Sequence, residues 1–104
     1  MATPVQDQIT ALRSCATSER LIGLYGLGVE ACTAKNDDDV TAVLQELIAM
    51  LDFEFAGVAD GFRRVYAYCL EQVDAGNFDG VSFILDALRD TLQRATADGT
   101  PAAP

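Results

Sequence analysis

At 104 residues the chain has room for one domain and one core. Hydrophobic residues make up 50% of it and charged residues 22%, and the net charge of −9 leaves no basic footprint for nucleic acid and opposes binding to anionic membrane surfaces. There is no histidine, which removes histidine phosphotransfer, Ser-His and Cys-His nucleophilic pairs, and the commonest metal ligand.

The chain opens with Thr3 as the expected N-cap and Pro4 at the first helical position. Val5, Ile9 and Leu12 then step by four and three, a short amphipathic helix that is marginal alone and must dock on the body or fray. A second helix follows, with Thr17 or Ser18 as the expected cap and Glu19 at the positive end of its dipole. Residues 21–32 are apolar almost all round. Gly23, Gly26 and Gly28 interrupt them, each at roughly 1 kcal/mol against alanine in a helix interior. A buried strand competes for this stretch, but the segments that follow are helical and supply no strand to pair with. Glycines in a buried helix let a neighbouring backbone or a bound peptide come close. They do not form a phosphate loop, because the lysine and the strand-to-helix context are missing.

Asn36, Asp37, Asp38 and Asp39 end the second helix and open the third, their carboxylates complementing a helix N-terminus rather than holding calcium. Val40, Val43, Leu44, Leu47, Ile48 and Leu51 form the third stripe, and Gly57 is the expected breaker. The fourth helix is read over 58–75, with Val58, Phe62, Val65, Tyr66, Cys69, Leu70 and Val73 on its apolar side and Gly76 as its stop. This stretch reads as the one the chain is organised around. Asn77 or Asp79 caps a last helix striped by Val81, Ile84, Leu85, Leu88, Leu92 and Ala95, with Phe83 and Ala87 beside the stripe. The segment 98–104 has small residues, Gly and Pro, and reads as a disordered tail to a single domain over 1–97.

Short connectors make successive helices antiparallel neighbours. The expected fold is therefore all-α: an antiparallel up-down four-helix bundle with a short extra N-terminal helix.

Little in the chain suggests chemistry. Cys15, Cys32 and Cys69 are odd in number and lie at neither metal-ligand nor redox spacing, so they read as buried free thiols in a reducing compartment. Glu30, Glu46, Glu54 and Glu71 are single carboxylates on separate helices and read as solvated surface charge. No catalytic residue, metal ligand or cofactor site is expected, and the chain does not read as an enzyme. Arg63 and Arg64 form a basic pair that neighbouring carboxylates should neutralise. The aromatics fall mostly in the core by spacing. Tyr68 is the exception, lying off the buried stripe, half-exposed or touching something outside. No signal peptide and no membrane span are apparent, since the densest apolar run, 21–29, is ended by Glu30. The expected location is the cytoplasm.

Four motifs in order carry a family resemblance over 16–95: SERLIGLYGLGV with its Leu24-Tyr25 pair, LDFEFAG with Leu51-Asp52 before a glycine-containing link, GFRRVYAYC with Tyr66 and Tyr68, and AGNFDGVSFILDALRDTLQRA. Together they resemble the FliS-type flagellar export chaperones. The chain departs from that pattern at Gly26, where the family has aspartate, and at Leu92, where it commonly has tryptophan. The resemblance implies a non-enzymatic cytoplasmic bundle that binds the C-terminal part of flagellin, or of a related exported subunit, and delivers it to the export gate. In that family the N-terminal segment covers part of the binding surface, a role open here to Val5, Ile9 and Leu12. Leu21, Leu24, Tyr25 and Leu27 are the residues expected to line a client groove with the third and fourth helices, and Tyr68 is a further contact. A homodimer stays open. The alternative reading is a non-catalytic adaptor that binds a folded partner.

Overall fold

A computed structural model of the chain describes residues 4–54 and 59–97. Among these residues it is all helical, without a strand. The elements are α1 (Val5–Leu12), α2 (Thr17–Thr33), α3 (Asp37–Glu54), α4 (Ala59–Asp74) and α5 (Phe78–Ala97). Thr3, Gly57, Val58, the tail 98–104 and the side chains of Phe53 and Phe55 lie outside what is described.

The helix ends follow local chemistry, with two corrections to the expected caps. Pro4 is the N-cap of α1 rather than its first helical residue, and its carbonyl accepts from the amides of Asp7 and Gln8. Ala16, not Thr17 or Ser18, is the N-cap of α2, and it brings no side-chain cap. α3 is capped by the Asn36 side chain. The Asp39 amide donates to Asn36 Oδ1 at 3.2 Å, and Asn36 Nδ2 donates to Asp39 Oδ2 at 3.0 Å. Asn77 takes the same place for α5, its Oδ1 accepting from the Gly80 amide at 3.1 Å. α4 stops at Gly76, whose φ of 79° lets the Asn77 amide reach back to the Gln72 carbonyl at 2.8 Å.

Each expected stripe buries a face, with shifts of detail. α3 buries Val40, Val43, Leu44, Leu47 and Leu51, and adds Met50; Ile48 is only half-buried. α5 buries Val81 and Leu85, half-buries Ile84, Leu88 and Leu92, and leaves Ala95 exposed. Phe83 corrects the expectation for the aromatics, being 76% exposed. It stands two residues before the buried Leu85, about 200° round the helix from it.

Packing is centred on α2, not on α4 as the stripe of α4 suggested. α2 packs most extensively against α5 and next against α3, α3 packs on α4, and α1 lies across α2 and α3. α4 and α5 meet over a much shorter stretch. The glycines explain the tight side. A Cβ built on Gly28 would fall 2.5 Å from Leu85 Cδ1, so its hydrogen is what lets α5 seat its leucine on α2. What approaches α2 is the chain's own leucines: Leu12 sits over Gly23 in the same way.

α1 is also held by charge. Arg13 forks onto Glu46, Nη2 to Oε1 at 2.8 Å and Nε to Oε2 at 3.0 Å, and Arg20 Nη2 reaches the same Oε2 at 2.5 Å. Glu46 is therefore no solvated surface carboxylate, since its side chain is 10% exposed between two guanidinium groups. Those hydrogen bonds, that of Arg13 first, outweigh its burial and hold its carboxyl below the ordinary value.

Candidate functional site

The residues expected to bind a partner fall in three places. Leu24 is fully buried and Tyr25 is 3% exposed, so both belong to the core. Tyr25 shares a 2.7 Å hydrogen bond with the buried Tyr66 hydroxyl. The bond joins α2 to α4, two helices whose backbones do not otherwise come together. Burial pushes both phenols up from their ordinary range. Leu21 is half-buried and joins Tyr25, Leu47, Leu51, Phe62 and Tyr66 around a cavity of about 40 Å³. Of the four α2 residues expected to line a groove with the third and fourth helices, only Leu21 and Tyr25 border this cavity, and its size suits a small group and not a length of chain. Leu27 lies elsewhere, with Leu12, Cys15 and Gly23 in a groove between α1 and α2.

Tyr68 stands apart from all of these. It is 50% exposed, in agreement with its place off the buried stripe. It lines the seam between α4 and α5, an open groove of about 500 Å³ shared with Arg64, Val65, Phe83, Ile84, Ala87 and Leu88. Apart from Arg64 and the tyrosine hydroxyl, the seam is apolar. Tyr68 and Phe83 are the exposed large hydrophobic side chains among the described residues, and both edge this groove. Isolated apolar side chains on a surface need no account, but two aromatic rings flanking one open apolar furrow are the pattern of a docking surface.

Sequence reasoning missed Phe83 and the rest of the α5 wall. A signal was present. Val81, Leu85, Leu88 and Leu92 define the inward side of α5, and Phe83 with Ala87 falls opposite it.

The remaining groups offer little chemistry. The two buried thiols, Cys32 and Cys69, are pushed up to about 11, chiefly by burial, which keeps them protonated and unreactive. Among the described residues, no group of three or more metal-ligating side chains is placed to hold an ion, and no helix is long and apolar enough to cross a membrane. Arg63 pairs with Asp60 at 3.7 Å, while Arg64 has no carboxylate partner among the described residues. Compared with known proteins, the chain matches no family model, no curated protein and no solved structure.

Proposed function

We propose that the chain is a non-enzymatic export chaperone of the FliS type, holding the C-terminal segment of flagellin or of a related exported subunit in the α4–α5 seam. In this reading the fold is an up-down four-helix bundle of α2 to α5 in the cytoplasm, with α1 docked across α2 and α3. The observation that carries it is the open apolar seam with Tyr68 and Phe83 at its edge on a chain of net charge −9. An amphipathic helix laid along such a furrow buries its apolar face against Val65, Ile84 and Leu88 and keeps its polar face in water. Acidic charge keeps the chaperone apart from its copies and soluble while the client is held. The helix-packing pattern and the order of the four sequence motifs support the same reading.

The test is calorimetric titration with a peptide from the flagellin C-terminus. The wild-type chain is expected to bind it. Phe83→Ser and Tyr68→Ser together are expected to weaken binding at least tenfold with the helical circular-dichroism signal unchanged, since both side chains are exposed. Tyr25→Ala is the wrong probe, because it removes a core ring and the Tyr66 bond. No heat with the wild type, or binding unaffected by the double variant, rejects the reading. Binding of folded flagellin but not of the free segment points instead to the adaptor role.

A further inference from the structure

Arg64 is the cation of the α4–α5 seam, and we propose that it receives the C-terminal end of the helix bound there, backbone carbonyls and free carboxylate together. The bound helix then lies antiparallel to α4. The chain has seven lysine and arginine side chains. Arg13, Arg20, Arg63, Arg89 and Arg94 each sit on a carboxylate of their own chain. Lys35 follows the end of α2 and does not line the seam. Arg64 lines it, is exposed, and has no carboxylate partner among the described residues. In a chain with sixteen acidic residues, a guanidinium left free beside an apolar furrow is placed for a group on another molecule.

The rim of the seam also has a direction. On α4 the exposed residues Arg64, Tyr68 and Glu71 fall at i, i+4 and i+7 on one side. Over about 10 Å the rim passes from a cation through an aromatic ring to an acid. A helix brings its own charge to such a rim, partial negative with unpaired carbonyls at its C-terminus and partial positive with unpaired amides at its N-terminus. Laid with its C-terminus at Arg64 and its preceding turns toward Glu71, it meets opposite charge along its length. Reversed, it meets like charge.

About two turns of helix span that distance, so the segment that fits is the last two turns of an amphipathic helix, its apolar side chains on Val65, Ile84 and Leu88. Where the client chain ends in that last turn, its α-carboxylate adds a full negative charge, which a guanidinium can take in two parallel hydrogen bonds. The net charge of −9 opposes an incoming carboxylate, and Arg64 is the local exception. The inference rests on the seam being the client's docking face, as proposed above, and assigns to it the very end of the client chain.

Calorimetric titration tests this when the flagellin C-terminal peptide is supplied in two forms, with its free carboxylate and as its C-terminal amide. The wild-type chain is expected to bind the free acid roughly threefold to tenfold more tightly than the amide. A peptide lengthened past its native end by a short glycine tail is expected to bind as weakly as the amide. Arg64→Gln is expected to bind acid and amide alike, with the helical circular-dichroism signal unchanged. Phe83→Ser is expected to weaken both forms and to keep their ratio. Equal affinity of the wild type for acid and amide, or a preference that survives Arg64→Gln, overturns the anchor and leaves the seam as a client groove. If neither form gives heat with the wild type, the chaperone reading falls and the anchor with it.

Discussion

Gly28 and Gly26 lie two residues apart on α2 and face opposite fates on gaining a methyl group. At Gly28 the new carbon would meet Leu85 Cδ1 at 2.5 Å, and Leu85 is fully buried, so it has nowhere to swing. Helix propensity returns about 1 kcal/mol, overpacking takes about 1–3, and Gly28→Ala is expected to destabilise by about 1 kcal/mol net. At Gly26 the nearest atom is Arg89 Nη1 at 3.5 Å, an ordinary contact with a flexible group. Gly26→Ala is therefore expected to keep the propensity gain and stabilise by up to about 1 kcal/mol. Urea denaturation of the two variants decides the matter, and equal shifts of the same sign refute the packing argument. The sequence showed that the glycines sit in a buried helix. It did not show which of them faces a fixed neighbour, because that depends on the partner helix and not on α2.

At the scale of the element, α1 is eight residues long, too short to persist alone in water. It is held by Ile9 in the core, by Leu12 over Gly23, and by the Arg13–Glu46–Arg20 cluster. Because the folded chain lowers the Glu46 carboxyl below its ordinary value of 4.5, the cluster contributes in full above about pH 4.5 and is lost as pH falls through the lower, folded value. Glu46→Gln removes the charge at any pH and is expected to cost about 1–2 kcal/mol, since charge-assisted hydrogen bonds are lost and Arg20 is left half-buried. Amide hydrogen exchange is expected to show α1 exchanging at least tenfold faster in that variant at neutral pH, with α3 and α4 little changed. Uniform acceleration of every helix would contradict a local clamp.

The end of α2 makes a second point at this scale. Lys35 sits at φ 55°, and the Asn36 amide closes the turn onto the Ala31 carbonyl at 3.0 Å. Gly76 closes α4 in the same geometry without a side chain to strain. Lys35→Gly is expected to stabilise by about 0.5–1 kcal/mol, the left-handed cost of a side chain less the extra freedom of glycine when unfolded. A fall in melting temperature would contradict this.

For the whole molecule, the question is where four long helices fail to close. α2 lies closely against α5 because Gly28 and Leu85 interlock, and α3 covers α2 and α4 with a face of six buried side chains from Val40 to Leu51. α4 and α5 are left with a short contact and an open furrow between them. Tyr68 was legible as an outlying ring from its own helix. The outward place of its counterpart Phe83 was readable from α5 alone, but the furrow that both border was not, because a furrow belongs to a pair of helices. The same holds for Glu46, which looked solvated on α3 until Arg13 and Arg20 arrived from two other elements.

The sequence alone determined the five helices, most of their inward faces, and the stop of α4 at Gly76, since periodic burial and capping are settled within a few residues. Only the tertiary structure decided that α2 rather than α4 is the central helix, that Leu24 and Tyr25 are sealed in the core, and that the exposed apolar surface lies between α4 and α5. Those outcomes depend on side-chain volumes meeting across helices distant in sequence, and no single helix carries that information.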